Sequence, residues 1–190
     1  MSTNSQQKIQ AIFQSHQDTI QKLVSIIPHI IEVADLIKMT LSSGGKVLLF
    51  GNGGSASDCQ HIAAEIVGRF VKERKSLPAI ALTTDTSIIT AVANDYGYEH
   101  IFSRQIEALC LKNDVVIGIS TSGNSKNVIK GLEKANSLGA ITVGLTGGDG
   151  GLIKKISNHS IVVDSNETAR IQEAHILIGH TLCELIEENL

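Results

Sequence analysis

Two side chains able to move protons or hold a metal ion, His61 and Glu65, stand four residues apart in the stretch GNGGSASDCQHIAAE. On a helix that spacing puts them on one face, the arrangement that brings two ligands to one metal in motifs of the H-E-x-x-H kind. A surface pair joined by an i,i+4 hydrogen bond has the same spacing. Context separates the two, because this helical pattern begins at a glycine turn, Gly51, Gly53 and Gly54, directly after an apolar run. Near the C-terminus, ARIQEAHILIGHTLCEL adds Gln172, Ile176 and His180 along one side of another helical pattern. Its expected core stripe is Leu177, Ile178, Leu182, Leu185 and Ile186. A histidine in so apolar a helix is more often a core residue than a ligand. Eight residues cover ~12 Å of helix axis, so Gln172 and His180 share a ligand only if it lies between their tips; otherwise they serve sites in different subunits.

A second kind of chemistry is anion binding. Ser120, Thr121, Ser122 and Ser125 surround Gly123 in STSGNS, just ahead of a helical pattern that starts at Lys126. Hydroxyl groups beside the free N–H groups and positive dipole end of a helix suit a phosphate. Ser125 acting as a plain N-cap would account for one hydroxyl, but not for the other three, and the phosphate reading is preferred. Gly51, Gly53 and Ala56 also fit the G-x-G-x-x-A spacing of dinucleotide sites. The acidic residue that such sites carry about twenty residues on is missing, since no strand pattern covers 70–74 and Asp85 lies too far along. No Gly-Lys-Ser/Thr follows the turn, which excludes a nucleotide P-loop. Asn94 and Asp95, ahead of Tyr96 and Gly97, end a further helical pattern either as its C-cap or as hydroxyl-binding groups. His16, His29, His100, His159 and His175 are read as surface or packing residues.

These residues need elements to carry them. Apolar residues at helical spacing mark a helix over 5–26, and a second begins around Pro28 and runs to Gly44 and Gly45. The pair either covers one sheet face or meets another copy of itself. Strand patterns follow at 46–50, 79–82, 114–119, 140–145 and 160–163, with helical ones at 57–68, 86–94, 101–109, 126–138, 152–156 and 168–188. The alternation predicts an α/β fold: a doubly wound, mainly parallel sheet of about five strands, in three layers, after an N-terminal helical hairpin. KVLLFGNGGS and VVIGISTSGNS echo each other as strand, small-residue turn and helix. Both turns would face one crevice beyond the carboxyl ends of the strands, where the glycine turn over 146–151 also ends a strand.

The totals set bounds. A chain of 190 residues with 42% hydrophobic residues suits one folded domain, and 3% aromatics without Trp leaves the core to Ile, Leu, Val and Ala. A net charge of −3, with no basic run, gives little basis for nucleic-acid binding. Cys59, Cys110 and Cys183 are too scattered for a disulfide framework or cysteine metal site. No window approaches a membrane span and the N-terminus lacks an apolar signal region, so a cytoplasmic protein without membrane contact is expected.

Together GNGGSASD, HIAAE, AND with Asn94 and Asp95, GISTSGNS, LTGGDGG and TARIQEAH followed by His180 resemble the sugar isomerase (SIS) domain family, most closely its sedoheptulose 7-phosphate (phosphoheptose) isomerases. The resemblance covers nearly the whole chain. It implies one SIS domain over 1–190, with 1–44 for packing and oligomerisation and 45–190 as the α/β core. It implies interconversion of a seven-carbon ketose phosphate and its aldose through an enediol, at the start of nucleotide-activated heptose synthesis for lipopolysaccharide or capsule. Substrate would meet Asn52, Gly53, Gly54 and Ser55, with Glu65 and Gln172 also in contact; Asn94 and Asp95 would bind hydroxyls, and Ser120, Thr121, Ser122 and Ser125 the phosphate. One Zn2+ per subunit would be held by His61, Glu65, Gln172 and His180, in a homotetramer with active sites at subunit interfaces. Glu65 and His180 are the expected catalytic pair, the first moving the carbon-bound proton and the second serving the oxygens. Some members carry Asp where this chain has Ala169, which removes one possible substrate contact. The rival readings are an isomerase of another sugar phosphate and a non-catalytic SIS adaptor that binds a replication initiator. Adaptors of that type lack the carboxylate and the terminal-helix histidine, and both stand here as Glu65 and His180.

Overall fold

VLLFG at Val47–Gly51 (β1) and VVIGIS at Val115–Ser120 (β3) show no polar alternation, and every residue of both strands is buried in the computed structural model, which describes residues 2–188. Such runs need cover on both sides. With β2 (Ala79–Ala81), β4 (Ile141–Gly147) and β5 (His159–Val163) they form a five-stranded sheet in the order β2-β1-β3-β4-β5, in which every pairing is parallel.

Alternate strand residues feed two cores. Val47, Leu49, Ile117 and Ile119 pack against α2 (Ile27–Ser42), α3 (Gly54–Val67) and α8 (Thr168–Glu187). Leu48, Phe50 and Val116 face α5 (Ser103–Leu109), α6 (Lys126–Ser137) and α7 (Gly151–Ile156). The remaining helices are α1 (Ser2–Lys22), which lies on α8, and α4 (Thr86–Tyr96). The result is the three-layer, doubly wound fold expected from the alternation.

Three local departures have physical causes. The pattern over 5–26 divides, because α1 stops at Lys22 and a 3-10 turn, Leu23–Ile26, leads into α2 with Pro28 in its first turn. The helix expected from 57 starts at Gly54: Gly53, at φ 56° and ψ −121°, ends the strand so sharply that Ala56 and Ser57 already donate to its carbonyl. Such a conformation is open to glycine and strained for other residues. On α8 the buried line runs through Ile171, Ala174, Ile178, Leu182 and Ile186, while Leu177 is 41% exposed and does not belong to the core stripe.

Of the two roles expected for the hairpin, α2 takes the first and covers one sheet face, and the two helices differ in burial. Val33, Ala34 and Ile37 of α2 are sealed into the core, whereas Ile9, Ile12 and Phe13 of α1 are 50%, 40% and 63% exposed. No described helix is long and apolar enough to cross a membrane.

Candidate active site

The strand order reverses direction between β1 and β3, so a crevice opens at their carboxyl ends. The two echoing turns lie there. In the first, the Gly53 Cβ position meets nothing within 4 Å, so its backbone faces open space. The Asn52 side chain does not: its amide exchanges hydrogen bonds with Asn127 at 2.9 and 2.8 Å, and its Oδ1 also accepts from the Tyr98 hydroxyl at 3.1 Å. What residues 52–54 offer a ligand is therefore backbone. Ser55 is buried in the first turn of α3. Asn127 and Tyr98 carried no sequence signal, since their role appears only when two turns meet.

In the second turn, Ser125 occupies the N-cap position of α6 but makes no side-chain cap bond. Its hydroxyl pairs instead with that of Ser120 at 2.9 Å, and Ser122 stands 3.5 Å from Ser120. The hydroxyls thus turn toward one another at the start of a helix whose Val128 N–H is met by Asn127 Oδ1 at 3.0 Å and not by Ser125, which favours the cradle over a plain cap. The glycine turn after β4 fixes this loop: Gly147 N–H donates to Thr121 O at 3.1 Å, Ile153 N–H to Gly123 O at 3.0 Å, and Leu152 N–H to Asn124 Oδ1 at 3.1 Å. A Cβ at Gly123, where φ is 65°, would run into the Gly150 backbone. Thr121 and Ser122 line a cleft of about 460 Å3, shared with Asp149, Ser165, Asn166 and Thr168. Ala169 is exposed at the start of α8.

The chemically active groups gather along the seam where α3 and α8 run side by side. Gly179 makes the approach possible, because a Cβ there would lie 2.6 Å from Ile62 Cδ1. His61 Nε2 comes to 2.9 Å from His180 Nε2 and 3.4 Å from Glu65 Oε1. One donor atom from each of the three lies within 4.8 Å of the others. Two imidazole nitrogens and one carboxylate oxygen at such spacing match the donor types of zinc, so these residues fit a Zn2+ ion. Asp58, one helical turn before His61, is half-buried; burial pushes its carboxyl up to about 6 while His61 pulls it down.

Gln172 is placed differently. Its side-chain amide lies against the Cα of Gly54, at the start of α3. His180 stands eight residues further along α8, about 12 Å on the helix axis. The fourth expected ligand therefore faces the glycine turn. Asn94 and Asp95 sit exposed in the last turn of α4, hydrogen-bonded to each other at 2.8 Å, with Gly97 as C-cap at φ 92°.

The core histidine of α8 is His175, read from sequence only as surface or packing. It is wholly buried, its Nε2 meets the Thr146 carbonyl at 3.1 Å, and burial lowers its pKa to about 4. Burial also lifts the thiols of Cys110 and Cys183 to about 11 and 12, which leaves them without nucleophilic character at neutral pH.

Residues 4–147 match the SIS domain family model. The phosphoheptose isomerase of Aquifex aeolicus is 58% identical over 183 residues, covering 96% of each chain. The chain belongs to the phosphoheptose isomerase family of SIS domains. Two solved family structures agree with the fold. That of Neisseria gonorrhoeae superposes with a TM-score of 0.91 at 42% identity, over 96% of this chain and 98% of its own. That of Francisella tularensis gives 0.94 at 39% identity, over 97% and 99%.

Proposed function

We propose that this protein is the phosphoheptose isomerase its family membership indicates, converting D-sedoheptulose 7-phosphate to D-glycero-D-manno-heptose 7-phosphate. The observation that carries the chemistry is the meeting of Glu65 with His180 on adjacent helices, at 3.4 and 2.9 Å from the shared neighbour His61. Isomerisation moves one proton from C1 of the ketose to C2, while the C2 carbonyl oxygen gains a proton and the C1 hydroxyl loses one. A base for carbon and an acid/base for oxygen suffice. Glu65 takes the C1 proton and returns it to C2; His180 protonates the C2 oxygen and accepts the proton from the C1 oxygen. Between the two transfers the substrate is a neutral cis-enediol, so atoms and charge balance.

The hydroxyls of Ser120, Thr121, Ser122 and Ser125, with the α6 N-terminus, hold the phosphate, and the backbone at Asn52, Gly53 and Gly54 and the buried Ser55 shape the wall beside it. Asn94 and Asp95 bind sugar hydroxyls. One Zn2+ per subunit would be held by His61, Glu65 and His180 with Gln172 and would supply polarisation of the carbonyl, ligation by Glu65 and His180 alternating with their proton transfers. A homotetramer would cover the exposed Ile9, Ile12 and Phe13 of α1 and place active sites at subunit interfaces, which brings a Gln172 within reach of such an ion. The sugar phosphate and the ion are small charged species of the cytoplasm, where the enzyme acts, in the first step toward nucleotide-activated heptose for lipopolysaccharide or capsule.

The test is incubation with sedoheptulose 7-phosphate, in the presence of Zn2+ or of a chelator, with the product identified by NMR. The aldoheptose phosphate is expected with the metal, and its absence under every condition would overturn the assignment.

A further inference from the structure

Glu187, on the last turn of α8, is an acidic residue on the buried face of the helix, with its side chain 1% exposed. Its two oxygens accept three consecutive backbone N–H groups, from Phe70 at 2.7 Å and from Val71 and Lys72 at 2.8 Å each. Arg74 Nε donates to the same carboxylate at 3.0 Å. The rest of the Arg74 guanidinium turns back to α3, donating to the carbonyls of Glu65 at 2.9 Å, Ile66 at 3.0 Å and Gly68 at 3.3 Å. The loop after α3 is thereby tied at once to the end of α3 and to the end of α8. Charge-assisted bonds in this number hold a segment to one conformation.

What that conformation delivers is the ring of Phe70. It lies on the His180 imidazole with centroids 5.2 Å apart and planes inclined by 18°, a stacked contact, on a ring that His61 meets edge-on at 5.1 Å and 66°. An imidazole on a helix surface has several χ1 and χ2 settings; a flat ring against its face leaves the one that aims Nε2 at His61.

We infer that Phe70 is a positioning residue for His180, held in place by the Glu187–Arg74 clip, and that it sets the geometry of the acid/base pair without touching the substrate. The inference rests on the reading that His180 belongs to the active site. Misaiming a group that acts only in the transition state lowers kcat and leaves KM in place. Misaiming a metal donor weakens metal binding by about 10–100-fold.

The experiment compares Phe70→Leu, Phe70→Tyr and His180→Asn with the parent enzyme. Steady-state kinetics on sedoheptulose 7-phosphate are paired with Zn2+ titration of each apo-protein against a chelating indicator, and circular dichroism melts establish folding. Phe70→Leu is expected to lose about tenfold or more in kcat and in Zn2+ affinity, with KM within twofold, while Phe70→Tyr, which keeps the flat ring, restores both. A folded Phe70→Leu with parental kcat and Zn2+ affinity overturns the inference, as does a folded Phe70→Tyr that is as impaired as Phe70→Leu. Parental activity in His180→Asn would overturn the active-site reading itself, whereas an inactive His180→Asn beside an unaffected Phe70→Leu overturns only the role of Phe70.

Discussion

The hydroxyl cradle draws Ser120, Thr121, Ser122 and Ser125 from six consecutive residues, whereas the cluster on the α3–α8 seam joins His61 to His180 across 119 positions of chain. The cradle is held by one turn whose backbone is stitched to the neighbouring glycine turn. The seam depends on two helices packing on the same sheet face, on Gly179 admitting Ile62, and on a clip at the far end. Changes in the cradle should therefore act on binding and stay local, while changes along the seam should act on turnover and spread.

Removing the proposed base, Glu65, breaks the comparison most strongly. Glu65→Gln is expected to lower kcat by roughly 10²–10⁴-fold, the share usual for a positioned acid/base, with an unchanged circular dichroism spectrum. Parental turnover would remove Glu65 from the carbon proton transfer. Next comes the clip: Glu187→Ala strands Arg74 and three N–H groups, and loss of one partner from a buried charged set costs about 3–5 kcal/mol. It should show as a lower urea midpoint, while competitive inhibition by inorganic phosphate, which reports on the cradle, is retained in the folded protein.

The cradle can be strained without touching the seam. Gly123→Ala forces a side chain at φ 65° toward the Gly150 backbone, at about 1–3 kcal/mol of strain, and the same melts should show that loss with a raised KM. Ser120→Ala removes one hydroxyl. At about 1–1.5 kcal/mol for a lost hydrogen bond, it should raise KM roughly tenfold and leave kcat near the parent value.

A further effect, spread over several pH units, is on acid stability. His175 is kept neutral down to about pH 4 against an ordinary 6.5, through burial. For Glu187, burial alone would raise the pKa, yet the three backbone N–H groups and Arg74 outweigh it and bring the value from 4.5 down to about 2. In both cases the unfolded chain takes up a proton before the folded one. Stability is then complete above about pH 6.5 and falls progressively below it, first through His175 and, from about pH 4.5 toward 2, through Glu187. Urea midpoints across this range would show the decline, and His175→Gln should flatten its upper part.

Much of the molecule was legible along the chain because its rules are local. Apolar runs without alternation required strands covered on both faces, glycine turns after β1 and β3 marked the crevice, and a shared helical face put His61 beside Glu65. Covalent spacing sets such features. Where the rules are not local, the pattern misled or was silent. Leu177 looked like core and is exposed, while His175, with no partner visible in sequence, is the histidine sealed beneath α8. Asn127, Tyr98, Arg74 and Glu187 became meaningful only once their partners were in place.

The sequence by itself determined the elements, their order and the chemical inventory at their ends, since solvent and apolar partition along one chain decides those. Which face of α8 meets α3, at what height His180 stands against His61, why Gln172 faces Gly54 and how Phe70 comes to lie on His180 were decided by the tertiary structure. A helix can turn about its axis or slide along it without breaking any local rule, and only packing against a particular neighbour, here Ile62 on Gly179 and Glu187 under the loop at Phe70, selects one setting.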